Sequence, residues 1–272
     1  MADTLKDFTG TLVLVGAGKM GGAMLEGWLA LGLDPKRVAI QEPQPAPEIA
    51  ALAAQGVRIN PPSVDDASVI VIAVKPQVAG DVVPKLKSLV RPSTVAVSVM
   101  AGKTLAFLKG ALGDCAIVRS IPNTPAAIGR GITVAVPNAK VSAAQRALSH
   151  TLLSSVGAVE WVDDEGLIDA ATAVSGSGPA YVFLLAESLA RAGAAAGLPA
   201  DLAARLARAT VAGSGELLHQ SPLEAATLRQ NVTSPAGTTA AALAVLMAGD
   251  GLDPLMQKAV AAATKRSREL AG

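Results

Sequence analysis

Residues 11–21 read TLVLVGAGKMG, an apolar, partly β-branched run of strand length that leads into a glycine-rich turn. Residues 20–31 then repeat apolar and small side chains at three- and four-residue spacing, which predicts an amphipathic helix. A G-x-G-x-x-G pattern between a buried strand and a helix holds the pyrophosphate of a dinucleotide in many proteins. Gly16 permits the tight turn, Gly18 lets backbone N–H groups approach the phosphates, and Gly21 lets the helix pack closely on the sheet. The alternative is a plain strand-to-helix turn.

The residues around this loop favour the dinucleotide site, because short apolar runs and helical segments alternate through the first half of the chain. Such runs are typical of buried parallel strands and occur again at 38–40, 69–74, 94–97 and 116–118. After about Gly166 they give way to alanine- and leucine-rich helical segments at 180–197, 201–219, 238–248 and 254–270. We therefore predict an α/β fold, with an N-terminal Rossmann-type doubly wound domain over 1–165 and an all-α domain over 166–272.

Composition excludes several classes of function. The 272 residues carry 23 basic and 22 acidic side chains, so no global field attracts nucleic acid or an anionic membrane. A single cysteine, Cys115, and two histidines, His150 and His219, predict neither a disulfide framework nor a structural metal site. The N-terminus has no signal-peptide pattern and no apolar run is long enough to span a membrane, so we expect a soluble cytoplasmic protein. The helical half has small apolar residues on more than one face, which predicts a homodimer or a higher oligomer of dimers.

The end of the second strand, Ile40-Gln41-Glu42-Pro43, bears on the choice of dinucleotide. An acidic side chain there accepts hydrogen bonds from a ribose diol and repels a 2′-phosphate, so Glu42 favours NADH. Lys36 and Arg37 lie close by in sequence and leave NADPH open. Two later segments follow strands at the same edge of the sheet, Ala73-Val74-Lys75-Pro76 and Val99-Met100-Ala101-Gly102, and we expect both to border the cofactor. For Lys75, a charged side chain that simply lies in solvent at a strand end is an equally good interpretation.

The reactions that the chain could catalyse are narrowed by the motifs and residues that it lacks. Gly102-Lys103-Thr104 resembles the end of a P-loop, but that motif needs a glycine where the chain has Val97. Neither histidine lies in a turn-rich segment of the kind that a Ser-His-Asp triad would use. No lysine occurs between Lys140 and Lys258, which disfavours the hydroxyacid dehydrogenases that use a helical-domain lysine as a base. Reduction of an imine fits better, because a protonated imine accepts hydride directly and a hydroxyl suffices at the nitrogen.

Two glycine-bearing junctions stand before helices in the second half. Residues 233–239, TSPAGTT, and residues 175–181, SGSGPAY, each predict a turn whose N–H groups and hydroxyls converge at the positive end of a helix. A capped helix is the simpler interpretation of either junction alone. Two of them beside a nucleotide-binding half favour a cradle for a substrate carboxylate.

These blocks resemble the pyrroline-5-carboxylate reductases, which catalyse the last step of proline biosynthesis. The similarity rests on GAGKMGGAM from Gly16, AVKPQ from Ala73, IPNTP from Ile121, SGSGPAY from Ser175 and NVTSPAGTT from Asn231. It implies reduction of 1-pyrroline-5-carboxylate by NADPH or NADH, and a helical domain that interlocks with that of a partner subunit. Substrate would bind between the two domains.

The resemblance also implies roles for individual residues. Besides Glu42, which is assigned from its strand end, the cofactor contacts would be Gly16, Ala17, Gly18, Lys19, Met20, Gly21, Asn60, Ala73, Val74, Lys75, Pro76, Val99, Met100, Ala101 and Asn123. The substrate carboxylate would be held by Ser234, Ala236, Gly237 and Thr238, with Asn231 bracing the loop and Thr239 as the catalytic hydroxyl near the ring nitrogen. Glu165 would lie near the site.

Two residues depart from the family pattern. Family members commonly have Gly-Gly where this chain has Ala236-Gly237, and we expect the alanine to be tolerated if its φ is negative. Glu42 stands where NADPH-preferring members tend to place small polar or basic residues. Alternative functions that the residues leave open are reduction of a related cyclic imine or a hydroxyacid, and a scaffold that senses NAD(P)H without turnover.

Overall fold

The computed structural model describes residues 4–271, which form two compact units. The first unit comprises residues 4–176 together with 263–271, and the second comprises 177–262. The division in packing therefore falls later in the chain than the sequence-based boundary at 165, and the end of the last helix belongs to the first unit.

The first unit is built on one sheet of eight strands in the order β3-β2-β1-β4-β5-β6-β7-β8. The strands are β1 Thr11–Val15, β2 Val38–Gln41, β3 Arg58–Ile59, β4 Ala67–Ile72, β5 Val95–Ser98, β6 Ala116–Ile121, β7 Gly131–Pro137 and β8 Gly157–Trp161. Every neighbouring pair is parallel except β6 and β7, which are antiparallel. The order reverses between β1 and β4, and ligands of open α/β sheets bind at such a reversal, beyond the carboxyl ends of the strands.

Helices cover both faces of this sheet and then make up most of the rest of the chain. They are α1 Lys19–Ala30, α2 Pro47–Ala51, α3 Ala79–Val82, α4 Leu105–Leu112, α5 Ala143–Ser154, α6 Leu167–Ala171, α7 Gly178–Ala195, α8 Ala200–Gln220, α9 Ala225–Asn231, α10 Thr238–Leu246 and α11 Leu252–Ala271. Short 3₁₀ segments lie at Pro35–Arg37, Leu52–Gln55, Pro76–Val78, Val83–Leu89 and Thr124–Ile128.

The predicted strands and helices form because their side chains are buried in the pattern that the sequence indicates. In β1, Leu12 and Leu14 face one core layer with Trp28 of α1, whereas Val13 and Val15 face the other layer with Ile70 and Ile72 of β4. A strand covered on both faces must be apolar throughout, which is why these strands appear as continuous hydrophobic runs. The predicted Rossmann-type sheet followed by helices is confirmed.

The junction at SGSGPAY differs from the prediction. Residues Thr172–Gly176 form a π-helical segment between α6 and α7, so the chain is helical before the motif as well as after it. The hydroxyls of Thr172 and Ser175 donate to the carbonyls of Ile168 and Ala171, at 2.7 and 2.9 Å. The predicted cap at this motif is therefore wrong: α7 follows Ser177 without a side-chain cap, and the Ser175 hydroxyl bonds to the preceding turn.

The second unit buries little of its own apolar surface. Helices α7 and α8 pack against each other, and within residues 177–262 only Ala203 and Ala207 are buried. Large apolar side chains along α7 are exposed, among them Phe183 at 62% and Leu184 at 56%. Within the described part of the chain, every helix is too short or too polar to cross a membrane.

Candidate functional site

The loop between β1 and α1 has the backbone geometry that close approach of a phosphate requires. Gly16 has φ +89°, and a Cβ there would lie 2.8 Å from the carbonyl carbon of Ala73. A Cβ on Gly21 would lie 2.1 Å from the carbonyl oxygen of Gly16, so the helix packs too closely on the turn for any other residue. Gly18 faces open space within 4 Å and precedes α1, whose first N–H groups have no partners within the helix. These residues fit a dinucleotide pyrophosphate.

Glu42 is tied to this loop by its side chain. Its Oε2 accepts a hydrogen bond from the backbone N–H of Ala17 at 3.0 Å, and its Oε1 accepts one from the backbone N–H of Gln44 at 3.1 Å. The side chain of Asn60 makes two hydrogen bonds to the backbone of Glu42. Its Oδ1 accepts from the Glu42 N–H at 2.9 Å, and its Nδ2 donates to the Glu42 carbonyl at 2.8 Å. The carboxylate is therefore fixed at the rim of the glycine loop.

A cavity of about 560 Å³ opens in front of these groups, a volume within the range of small-ligand pockets. Seven predicted cofactor residues line it, namely Gly16, Gly18, Glu42, Asn60, Ala73, Val74 and Lys75. Its remaining lining comes from Val15, Gln41, Pro43, Gln44, Val78 and Val82. Sequence reasoning did not assign a role to these six residues. Gln41 and Pro43 flank Glu42 at the end of β2, and this adjacency to a predicted cofactor residue is the one sequence feature that could have indicated any of them.

The other predicted cofactor residues lie outside this cavity lining: Ala17, Lys19, Met20, Gly21, Pro76, Val99, Met100, Ala101 and Asn123. Val99 and Met100 are buried, at 8% and 2% exposure, and follow β5 at the same edge of the sheet. Ala101 is exposed beside them. The role of all nine residues in binding the cofactor stays a prediction.

Asn123 and Glu165 hold elements of the first unit together. The Asn123 Nδ2 donates to the carbonyl of Ser175 at 3.1 Å, and its Oδ1 accepts from the Ile132 N–H at 2.9 Å. One oxygen of Glu165, Oε1, accepts from Nη1 of the buried Arg119 at 2.6 Å and from the Leu105 N–H at 2.7 Å. Asn123 thus joins β6 to β7 and the π-helical segment, and Glu165 joins β6 to the N-terminus of α4.

Neither histidine lies at the cavity. His150 in α5 is half-buried and accepts a hydrogen bond from the indole N–H of Trp161, with 3.2 Å between Nε1 and Nδ1. His219 is exposed at the end of α8.

The loop before α10 forms a tight turn in the second unit. The Gly237 N–H donates to the carbonyl of Ser234 at 3.1 Å, and Gly237 is the N-cap of α10. Ala236 has φ +57°, so the condition under which we expected the alanine to be tolerated, a negative φ, is not met. The Thr233 hydroxyl donates back to the Arg229 carbonyl of α9 at 2.7 Å, and no side chain caps α10 within the described residues. The prediction that the loop hydroxyls converge on the helix entrance is therefore wrong at Thr233.

The start of α10 nevertheless offers donors to an anion. The first N–H groups of an α-helix, here those of Thr238 and Thr239, have no partners within the helix, and the helix dipole makes this end positive. Thr239 is half-buried in the first turn, while Thr238 and Ser234 are exposed. Asn231 is the last residue of α9 and is exposed. A carboxylate would be matched by these backbone donors.

Comparison with known proteins decides the family. The chain is 40% identical to pyrroline-5-carboxylate reductase of Pseudomonas aeruginosa over 97% of each chain, and 38% identical to that of Glycine max over 96% of each. The chain belongs to the pyrroline-5-carboxylate reductase family. A family model described as pyrroline-5-carboxylate reductase dimerisation matches residues 165–270, and one described as NADP oxidoreductase coenzyme F420-dependent matches 11–102.

Solved structures of the family agree. A pyrroline-5-carboxylate reductase from Coxiella burnetii has a TM-score of 0.88 at 33% identity, covering 97% of this chain and 99% of that one. A pyrroline carboxylate reductase from Plasmodium falciparum, solved with NADP bound, has a TM-score of 0.78 at 28% identity over 97% and 99% of the two chains. The resemblance stated from the sequence blocks is thereby confirmed.

Proposed function

We propose that this protein reduces 1-pyrroline-5-carboxylate to L-proline with NAD(P)H, as the last step of proline biosynthesis. The observation that carries the proposal is that a chain matching these reductases over 97% of its length retains an open glycine loop at a 560 Å³ cavity. The N-terminus of α10 adds a second cradle suited to a carboxylate. Residues 1–165 would bind the cofactor, and residues 166–272 would bind substrate and make the dimer.

The reaction adds a hydride to the carbon of the C=N bond and a proton to its nitrogen. Reduced nicotinamide, when bound, supplies the hydride and is itself oxidised. The chain's own task is to hold the two reactants in place and to hydrogen-bond the nitrogen. We assign the carboxylate to the backbone N–H groups of residues 236–238, with Ser234 and Asn231 shaping the turn. The hydroxyl of Thr239, in the first turn of α10, would serve the ring nitrogen.

The exposed apolar surface of α7 supports a homodimer. Side chains such as Phe183 and Leu184 are more than half exposed, and a helix pair with two buried alanines has little core of its own. Covering this surface with a second copy would bury it. Light scattering on the purified chain should therefore show a dimer or a multiple of one. A cytoplasmic location belongs to the same proposal, and the single buried thiol of Cys115 is compatible with it.

Substitutions at Thr239 test the catalytic assignment. Thr239→Val keeps the shape and removes the hydroxyl, so turnover of 1-pyrroline-5-carboxylate should fall roughly 100-fold, the lower end of what a positioned proton donor contributes. Thr239→Ser should retain most of the rate. Thr210→Val, on the exposed face of α8, makes the same chemical change away from the loop and should leave the rate unchanged.

Two results would contradict the proposal. Wild-type protein that oxidises neither NADH nor NADPH with the cyclic imine, or that acts on hydroxyacids alone, would overturn the reaction. A Thr239→Val variant with full turnover would overturn the role of the hydroxyl and leave the reaction in place.

A further inference from the structure

We propose that Glu42 makes this enzyme select NADH over NADPH, and that Asn60 is the positioning residue that holds Glu42 in place. The inference rests on the proposed function, since it concerns the cofactor of that reaction. It commits to one dinucleotide where the family likeness admits both.

The position of the Glu42 carboxylate follows from the sheet. Strand β2 pairs in parallel with β1 so that Gln41 lies opposite Val15, and the Gly16 N–H donates to the Gln41 carbonyl at 2.9 Å. Glu42 is the next residue and therefore lies beside the turn of the glycine loop. Its Oε2 accepts from the Ala17 N–H within that turn. The adenosine ribose of a dinucleotide lies at this strand end in Rossmann-type sites.

A carboxylate fixed there distinguishes the two dinucleotides. The ribose diol of NADH offers two O–H donors, and an ionised carboxylate accepts hydrogen bonds but has none to donate. A 2′-phosphate adds a charge of about −1.5 to −2 and further acceptor oxygens, and both oppose Glu42. Turning the carboxylate away would also break its bond from the Ala17 N–H. The site is thus complementary to the diol and repels the phosphate.

Lys36, Arg37 and Lys75 extend from backbone positions about 10 Å or more from that of Glu42. Lys36 and Arg37 lie in the 3₁₀ segment before β2 and Glu42 follows this strand, so the Cα atoms of Arg37 and Glu42 are roughly 17 Å apart. Lys75 follows β4, and since β1 lies between β2 and β4, those strand ends are about 10 Å apart. Lys75 is the one cationic residue of the described cavity lining, and it is exposed.

Asn60 fixes the backbone from which the carboxylate extends. Its side chain makes the paired hydrogen bonds to the Glu42 N–H and carbonyl, and its own N–H donates to the Ile40 carbonyl at 2.8 Å. Asn60 adopts φ +48°, a left-handed conformation that asparagine and glycine accept more readily than other residues. Asn60→Gly therefore keeps the left-handed backbone conformation accessible and removes the side chain that holds Glu42, together with its part of the cavity lining.

The test measures the dissociation constants of NADH and NADPH by the fluorescence of the bound nicotinamide, without substrate. Wild-type protein should bind NADH at least 10-fold more tightly than NADPH. Glu42→Ser should reduce this ratio to about threefold or less, chiefly by tightening NADPH. Asn60→Gly should reduce the ratio to an intermediate value, whereas a merely structural loss would weaken both dinucleotides equally.

Glu48→Gln is the matched control, because it removes the same charge from an exposed position in the first turn of α2. The ratio in this variant should equal that of wild type. Glu42→Gln provides a second variant of nearly the same size should Glu42→Ser fold poorly. Equal binding of both dinucleotides by wild type, or a ratio unchanged in the Glu42 variants, overturns the inference alone. Failure to bind either dinucleotide overturns the proposed function as well.

Discussion

Replacing Ala236 by glycine should stabilise the protein, although it removes a methyl group. Ala236 has φ +57°, in the left-handed region where a Cβ crowds the following carbonyl oxygen at a cost of roughly 1–2 kcal/mol. Glycine avoids this cost and gives up about 0.4–1 kcal/mol through the extra freedom of the unfolded chain. Because Ala236 is exposed, its methyl group contributes little burial. The midpoints of these two ranges predict a gain of about 0.8 kcal/mol in the free energy of unfolding.

Urea denaturation at one fixed protein concentration measures this change, since association affects the apparent stability of an oligomer. Ala241→Gly is the control of opposite sign, because an exposed alanine within α10 should lose about 1 kcal/mol when replaced by glycine. The KM for 1-pyrroline-5-carboxylate should stay within about twofold in Ala236→Gly, since the backbone donors keep their places. A loss of stability in Ala236→Gly comparable to that of the control would refute the reasoning.

Two substitutions and one chemical modification test other parts of the structure. Gly21→Ala forces a Cβ to within 2.1 Å of the Gly16 carbonyl oxygen, so dinucleotide affinity measured by fluorescence should fall at least 10-fold. Arg119→Met leaves Glu165 without its buried partner and should cost roughly 3 kcal/mol in urea denaturation, at the lower end of the usual range because Glu165 is 31% exposed; an unchanged midpoint would contradict the bridge. Burial raises the pKa of the Cys115 thiol, so alkylation by iodoacetamide at pH 8 should be much slower in the native protein than in urea.

The strands that the sequence predicted are those covered on both faces. Strand β4 is buried along almost its whole length and forms a continuous apolar run. Strands β7 and β8 escaped prediction because burial alternates along them, between buried and half-buried residues in most of β7 and between half-buried and exposed residues in β8. Thr133 and Glu160 also interrupt their apolar pattern. Strand β3, with two residues, is too short for any pattern. Their pairing depends on contacts distant in sequence, which local composition does not encode.

Some features of the candidate site could likewise be predicted from the sequence, and others could not. The glycine loop could be predicted because the spacing of its glycines follows from the close packing of α1 on the turn after β1. The π-helical segment could not, since serine and glycine in SGSGPAY favour a helix start locally, and only the bonds of Thr172 and Ser175 to preceding carbonyls show the chain to be helical there already. The positive φ of Ala236 also escaped prediction, because alanine seldom adopts this conformation.

Transfer of an isotope label tests the central claim, that this chain moves a hydride to the C=N carbon of 1-pyrroline-5-carboxylate. The purified protein would be incubated with the cyclic imine and nicotinamide dinucleotide dideuterated at C4 of the reduced ring. Proline from this reaction, examined by mass spectrometry and NMR, should carry one deuterium, located at C5. Proline without deuterium, or oxidation of the cofactor without proline, would contradict the account.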